Sequence, residues 1–236
     1  MSQISQTTEP YNRLLKRLTR DDFAFLAPHL ETVDLPLRQK LEVRNRRIEH
    51  VYFPRGGFAS VVINGSNGNS IEVALIGREG MTGLAVLMGT DRAPYDIFIQ
   101  FAGEGYRMTV DSLRRVIAKN PRLHNVFLRY GHAFIVQSAY TSLANARFRM
   151  DERLARWLLM AHDRVENDEM LLTHEFLALM LGARRPGVTV ALNHLADRGL
   201  IRTSRGTITM LDRKALEKVA NGAYGGPEAE FQRLFG

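Results

Sequence analysis

Five side chains between positions 184 and 193 have the chemistry that reads the edges of DNA bases. They are Arg184, Arg185, Thr189, Val190 and Asn193. A guanidinium group can form two hydrogen bonds with guanine, and a carboxamide can form two with adenine. A valine side chain or a threonine methyl can contact the methyl group of thymine. On a helix the last three share one face and the two arginines project from the N-terminal end, so all five can meet one groove.

The residues before this set predict a short helix over about residues 174–181. Thr173 is a good N-cap for it. Leu172 and Leu177 have the spacing of a hydrophobic staple, which fixes the direction in which the chain enters a helix. Gly182 then ends the helix.

A second helix carries the base-reading side chains. Pro186 lies in its first turn and Gly199 follows its last turn, as is typical of helix starts and stops. Between them, Val188, Leu192 and Leu195 recur at intervals of four and three residues and predict a buried face. Two such helices joined by a short turn containing glycine form a helix-turn-helix, whose second helix enters the major groove of DNA.

Residues 200–210 predict a β-hairpin directly after the second helix. The hairpin is centred on Ser204 to Gly206, and it carries Arg202 and Arg205. In this position a hairpin is the wing of a winged helix. We assign its two arginines to contacts with DNA phosphates.

Charge along the chain supports the same assignment. Residues 173–210 contain five arginines against two carboxylates, a balance of +3, whereas residues 151–170 have a balance of −3. Concentrated positive charge is what contact with phosphates requires. Thr173 and His174, at the start of the first helix, are also assigned to DNA contacts, although His174 is equally well explained as an ordinary helix-start residue. The alternative for the whole segment is a helical hairpin with solvated arginines.

The composition is that of a folded globular protein. The 236 residues are 45% hydrophobic and 24% charged, which excludes a wholly disordered or collagen-like chain. The formal net charge of +7 favours a polyanionic partner. Because the chain has no cysteine, disulfides, cysteine-held iron–sulfur clusters, thiolate zinc sites and cysteine nucleophiles are excluded. No apolar run approaches the roughly 20 residues that span a bilayer, so we expect a cytoplasmic protein with no membrane partner.

The first half of the chain predicts a small β barrel or sandwich. Two small helices are expected between residues 12 and 30. Short β-type runs follow, separated by turns rich in glycine and asparagine. The clearest of these runs cover residues 51–53, 58–63, 70–76 and 96–101.

A long helix follows the β-type runs. Pro121 can open it, and apolar positions recur at steps of three and four over roughly seven turns. The seam ends with Ala144 and Phe148, and its first six residues are Leu123, Phe127, Tyr130, Phe134, Gln137 and Thr141. We interpret these six residues as a dimer interface in which the helix pairs with its two-fold mate. The alternative is a core helix of a single domain.

Five segments and the long helix together carry a resemblance to a known family. The segments are Val51-Tyr52-Phe53, Gly56-Gly57, Gly80-Met81-Thr82-Gly83-Leu84, Arg153-Leu154-Ala155 and Leu181-Gly182-Ala183-Arg184-Arg185. From about Arg13 to Leu216 the chain resembles the Crp/Fnr family of bacterial transcription regulators.

The resemblance implies an α+β fold in three parts. Residues 1–120 would form an N-terminal double-stranded β-helix, which is a cupin-like β-roll similar to a cyclic-nucleotide-binding domain. Residues 121–149 would form a dimerisation helix, and residues 150–236 a winged helix-turn-helix. It also implies a homodimer on a near-palindromic promoter site, with two recognition helices about one DNA turn apart. Duplex DNA, RNA polymerase and an unknown small-molecule effector are the implied partners.

The effector pocket that the resemblance implies departs from the family pattern. Cyclic-nucleotide-binding members have Gly-Glu-x-Gly-Leu followed by Arg-Ser, but here Met81 replaces the glutamate and Ala93 the serine. Only Arg92 is retained. A thioether cannot accept a ribose hydroxyl as strongly as a carboxylate does. The pocket would comprise Met81, Gly83, Leu84, Arg92, Ala93 and Ser138. We therefore expect neither cyclic AMP nor any other cofactor, while a cyclic-nucleotide-responsive regulator remains the first alternative.

A metal-dependent cupin-like enzyme is the second alternative. β-barrels of that type hold iron or manganese through clustered histidines. Of the seven histidines, only His50 lies within the predicted β-unit, and no His-x-His or Glu-x-x-His pattern occurs there. We expect no metal site and no enzymatic activity.

Overall fold

The structure, a computed structural model, describes residues 11–66 and 69–236. Residues 1–10 of the predicted first domain, and Asn67 and Gly68 at the tip of a predicted hairpin, lie outside the described residues. The described chain divides into two compact units. Apart from the last two residues, the first contains residues 11–61 and 76–134, and the second contains residues 62–75 and 135–234.

The first unit begins with short helical segments, as expected. Helix α1 (Arg20–Leu26) lies between two 3-10 turns, Leu15–Arg17 and Ala27–His29. The side chain of Thr19 caps α1 by accepting a hydrogen bond of 3.1 Å from the backbone N–H of Asp22.

Seven β-strands follow. They are β1 (Glu31–Leu35), β2 (Lys40–Glu42), β3 (His50–Pro54), β4 (Phe58–Asn64), β5 (Ser70–Ile76), β6 (Asp96–Phe101) and β7 (Gly103–Thr109). One sheet has the order β1-β7-β3 and the other the order β2-β6-β4-β5. A short helix, α2 (Leu84–Leu87), precedes β6. The mixed helix-and-sheet class expected from the sequence is confirmed.

Two helices come after the sheets, α3 (Val110–Lys119) and α4 (Pro121–Arg147). Pro121 is the first residue of α4. Proline is tolerated there because the backbone N–H at that position has no partner within the helix. The helix is shared, since residues 121–134 belong to the first unit and residues 135–147 to the second. In the described ranges, no helix is both long and apolar enough to cross a membrane.

The seam predicted to face a partner chain is instead covered by the chain itself. Leu123 and Phe127 are fully buried, and Tyr130, Phe134 and Gln137 are at most 8% exposed. In the first unit, the ring of Phe127 lies 5.8 Å from that of Phe53.

The rest of the seam is covered within the second unit. The carboxamide of Gln137 makes hydrogen bonds of 2.7 and 3.2 Å with the backbone of Leu75. Thr141, the last residue assigned to the dimer interface, is half-buried and accepts a hydrogen bond from the guanidinium of Arg156. The dimer assignment of this seam is therefore corrected. Apolar spacing marks the face that a helix buries, but it does not say what covers that face.

The second unit contains the remaining elements. They are α5 (Met150–His162), β8 (Glu169–Leu171), α6 (His174–Met180), α7 (Arg185–Asp197), β9 (Ile201–Ser204), β10 (Thr207–Met210), α8 (Arg213–Val219) and α9 (Gly226–Phe235). The three strands form one antiparallel sheet in the order β8-β10-β9. The compact units follow a different division from the sequence-based boundaries at 120 and 149, which stay a prediction.

Candidate nucleic-acid interface

Helix α6 forms as its caps predict. The Thr173 hydroxyl accepts a hydrogen bond of 3.2 Å from the backbone N–H of Phe176. Leu172 and Leu177 are both buried, consistent with the predicted staple. The helix ends at Met180. Gly182 then adopts a positive φ of 55°, a conformation that side chains other than glycine rarely adopt.

Helix α7 has one buried face and one open face. Val188, Leu192 and Leu195 have no exposed surface. The opposite side and the N-terminal end are exposed, and they present Arg184, Arg185, Val190 and Asn193. Arg184 is the N-cap residue and Arg185 is the first residue of the helix, so both side chains lie at its N-terminal end. Four of the five predicted base-reading residues thus lie on one accessible surface.

Thr189, the fifth, is half-buried and has a partner within the protein. Its hydroxyl oxygen lies 3.0 Å from Nδ1 of His174, the first residue of α6. This hydrogen bond connects the start of the first helix to the middle of the second. The sequence assigned both residues to DNA, but their contact with each other could not be read from it.

The wing is a tight hairpin. Strands β9 and β10 are joined by Arg205 and Gly206, and Gly206 has a φ of 80°. Both Arg202 and Arg205 are exposed. The carbonyl of Gly206 accepts a hydrogen bond of 2.7 Å from the backbone N–H of Leu172, so the wing tip is attached beside the start of α6. The third strand, β8, was not anticipated from the sequence.

Three other arginines of the second unit, Arg153, Arg156 and Arg164, are less accessible to a ligand. Arg156 and Arg164 are buried, and burial lowers the pKa of Arg156. Arg153 is half-buried and donates hydrogen bonds to the side chain of Asn145 and to the carbonyl of Leu181. By contrast, Arg184 and Arg185 of the helix-turn-helix and Arg202 and Arg205 of the wing are exposed.

The predicted effector cassette belongs to the first unit and is packed with the protein's own side chains. Met81 is fully buried and Ala93 is 1% exposed. The backbone N–H of Gly83 donates a hydrogen bond of 2.7 Å to a carboxylate oxygen of Glu42. Burial raises the pKa of Glu42 to about 7. One backbone amide of the cassette is thus already engaged by an internal carboxyl group.

The other predicted pocket residues differ in their exposure and in the part of the chain that carries them. Leu84 is half-buried at the start of α2. Arg92 is exposed, and its guanidinium donates a hydrogen bond of 2.9 Å to the carbonyl of Asn45. Ser138 is a half-buried residue of α4 in the second unit. The sequence did not predict the contact between Glu42 and the cassette. A single acidic residue in a three-residue strand gives no signal that its carboxylate accepts a hydrogen bond from residue 83.

Histidine, aspartate and glutamate side chains do not form a metal site within residues 11–66 and 69–236. No group of three or more of them is close enough to hold an ion.

A comparison with protein families decides the nature of the helical region. The family model of the Crp-like helix-turn-helix domain matches residues 152–219. Residues 152–219 are a Crp-like helix-turn-helix domain. This domain runs from the start of α5 to the end of α8 and contains all nine residues assigned to DNA. Among curated proteins, no sequence matches the chain.

Solved structures extend the likeness to the rest of the chain. A protein described as a Crp/Fnr-family transcriptional regulator from Eubacterium rectale is 20% identical, with a TM-score of 0.69; the match covers 90% of this chain and 99% of that one. FixK2 from Bradyrhizobium japonicum is 16% identical, with a TM-score of 0.69, covering 80% and 96%.

A third structure, CLP from Xanthomonas campestris, is described as responsive to c-di-GMP. It is 14% identical, with a TM-score of 0.64, and the match covers 81% of this chain and 99% of that one. The Crp-like domain therefore stands in a chain with the Crp/Fnr fold, and the resemblance seen in the sequence is confirmed.

Proposed function

We propose that the protein is a sequence-specific transcription regulator that reads the major groove with α7. One observation carries the proposal: Val188, Leu192 and Leu195 are fully buried while Arg184 and Arg185 are exposed at the N-terminal end of the same helix. A helix anchored along one side and open at its N-terminal end is the geometry of a recognition helix.

The exposed side chains divide into two roles. Arg185, Arg184 and Asn193 have the donors and acceptors that distinguish base edges, and Val190 can contact a thymine methyl group. A second group, the rim set, has polar or cationic side chains that can bind phosphates. Such contacts fix the position and orientation of the protein on DNA. The rim set is Thr173, His174, Arg202 and Arg205.

The proposed active form is a homodimer that binds a near-palindromic site. Its interface would be the uncovered side of α4, which replaces the buried seam in this role. Leu128, Ile135 and Leu143 on that side are 37%, 56% and 46% exposed. Ile135, Ala139 and Leu143 follow one another at intervals of four residues and lie on one face. A second copy of the same helix would bury this stripe, as two-fold pairing requires.

The cassette supports a regulator whose effector is not a cyclic nucleotide. Glu42 already accepts the hydrogen bond of Gly83, so that amide is not free to bind a phosphate. Titration calorimetry with cyclic AMP and cyclic GMP tests this directly. Sub-millimolar binding of either would contradict it. The proposed effector is an unidentified small molecule, and RNA polymerase is a further proposed partner. The proposed location of the protein is the cytoplasm.

Selection of bound fragments from random duplex DNA tests the function as a whole. The purified full chain is expected to enrich a near-palindrome whose half-sites lie about one helical turn apart. Equal recovery of all sequences at low ionic strength would contradict sequence-specific binding.

A further inference from the structure

The Crp-like domain contains four glycines, and backbone conformation explains three of them. Gly182, Gly199 and Gly206 have positive φ angles of 55°, 69° and 80°, a conformation that residues with a side chain rarely adopt. Gly187 differs, because it lies in the first turn of α7 and is not among the residues with positive φ. Its backbone conformation therefore does not require glycine.

Packing within the protein does not require glycine at position 187 either. Gly187 is exposed, and a Cβ atom added to it would have no heavy atom within 4 Å among the described residues, apart from its chain neighbours and its own helix backbone. At Gly226 in α9, by comparison, an added Cβ atom would overlap the ring of Tyr140. Glycine lowers the stability of a helix relative to alanine, because it loses more conformational freedom on folding. The described chain thus gives Gly187 no structural role, which leaves contact with the ligand of α7.

Gly187 lies among the residues proposed to read DNA bases. Arg184 precedes it by three positions and Val190 follows it by three, so both are its neighbours on one side of the helix. Arg184 is exposed, and Val190 is 53% exposed. Because Gly187 has no side chain, a base edge can approach the helix backbone more closely there than at either neighbour.

The first turn of α7 offers few amide donors to a phosphate. Pro186 has no backbone N–H. The N–H groups of Gly187 and Val188 donate to the carbonyl of Arg184 over 3.0 and 3.3 Å. Helix N-termini that bind phosphate use backbone N–H groups of this kind. The exposed surface of Pro186 and Gly187 is therefore apolar, and it suits an apolar group on a base better than a phosphate oxygen.

In the major groove, the methyl group at C5 of thymine is the apolar group that distinguishes one base from the others. We propose that Gly187 is a specificity-determining residue whose bare backbone forms the contact surface for a thymine methyl group. A side chain at this position would occupy the space of that methyl group and exclude thymine. This inference rests on the proposed function and adds one determinant of its specificity.

Paired changes in the protein and in the DNA test this contact with the full chain. Gly187→Ala adds a methyl group to the helix. Replacing thymine by uracil removes one from the DNA, and each thymine of the selected half-site is replaced in turn, in both half-sites together. Gly187→Ala should bind the thymine operator roughly tenfold more weakly than the parental chain, because two methyl groups would compete for one space.

The contacted thymine is identified by effects of opposite sign. At that position the parental chain should lose roughly fourfold in affinity with uracil, the effect of one buried methyl group. Gly187→Ala should instead gain affinity with uracil, and reach within about threefold of the parental chain on thymine, since coupled changes at one contact are not additive.

Measurements on the free protein separate the contact from an effect on folding. Because an added Cβ atom has open space, Gly187→Ala should lower the equilibrium constant for denaturant unfolding about two- to fivefold. Gly56→Ala is the matched control. It makes the same change at a glycine of the first unit that also lacks a positive φ and also has open space around an added Cβ atom. It should change operator affinity by less than about twofold.

Four results would overturn the contact. They are parental operator affinity in Gly187→Ala, a selected half-site without thymine, a less stable Gly187→Ala protein, and an equal loss of affinity for operator and random DNA that uracil restores at no position. The last result would assign Gly187 to the phosphate backbone. A parental chain that selects no DNA sequence would instead overturn the proposed function.

Discussion

His174 and Thr189 form a hydrogen bond of 3.0 Å between Nδ1 of the imidazole and the threonine hydroxyl. The bond joins the first residue of α6 to the recognition helix. It occupies one ring nitrogen and leaves Nε2 as the imidazole atom that could contact a phosphate. The Thr189 hydroxyl thus has a positioning role, and only its methyl group remains for contact with a base.

Two substitutions at position 189 separate these roles. Thr189→Val keeps a methyl group and removes the hydroxyl, so it should weaken binding to all sequences by roughly fivefold, the effect of about 1 kcal/mol. Thr189→Ser keeps the hydroxyl and should change preference at one base position only. Equilibrium binding to the selected operator and to single-base variants distinguishes them. A sequence-selective loss in the valine variant would contradict the positioning role.

The wing arginines predict a change in salt dependence. If Arg202 and Arg205 contact phosphates, alanine at either position should weaken binding to operator and random DNA alike. Each substitution should reduce the slope of log affinity against log salt by about 0.9, because one phosphate fewer is neutralised. Arg198→Ala is the control, because Arg198 is exposed at the opposite end of α7. An unchanged slope in both wing variants would remove these residues from the interface.

The dimer proposal is tested on the uncovered side of α4. Ile135→Glu would bury an unpaired charge in the interface, at a cost of about 3 kcal/mol, and should weaken dimerisation roughly a hundredfold. Operator binding should fall with it. Leu37→Glu introduces the same charge at a 55% exposed residue of the first unit and should have neither effect. Analytical ultracentrifugation gives the result, and a dimer that persists in Ile135→Glu would contradict this interface.

Glu42 predicts a dependence of stability on pH. Burial raises its pKa from 4.5 to about 7 in the folded chain. A raised carboxyl pKa means that the folded state binds the proton more tightly, so this contribution is present below pH 4.5 and lost as pH rises through about 7. The loss amounts to about 3 kcal/mol.

Glu42→Gln should remove that dependence, since its carboxamide oxygen can still accept the hydrogen bond from Gly83. Denaturant unfolding at pH values of about 5 and 8 should therefore show the glutamine variant gaining relative to the parental chain as pH rises. A constant difference between the two proteins would show that the carboxyl group titrates equally in the folded and unfolded states.

The helix-turn-helix could be predicted from sequence because its determinants are local. The cap of Thr173, the glycine at 182 and the buried spacing of Val188, Leu192 and Leu195 all act within a few residues of the element they define. For the same reason the sequence predicts the wing but not β8. The three residues of β8 form a strand only because β10 is present beside them.

Non-local packing accounts for the main error and the main omission. The apolar spacing of α4 correctly predicts a covered face, but Phe53 and Leu75 cover it, far away in the sequence. Likewise, the partners of Glu42 and Glu72 are residues 83 and 157, and no periodicity connects them. Such contacts can be identified only in the folded structure.

Base reading by Arg185 at the N-terminal end of α7 is the central requirement of the proposed function. The direct test is selection from random duplex DNA with the parental chain, Arg185→Ala and the Arg198→Ala control. We predict that the parental chain and the control enrich the same near-palindrome, while Arg185→Ala loses roughly 1 to 3 kcal/mol of discrimination at its position. An unchanged operator preference in Arg185→Ala would contradict the claim that this residue reads the major groove.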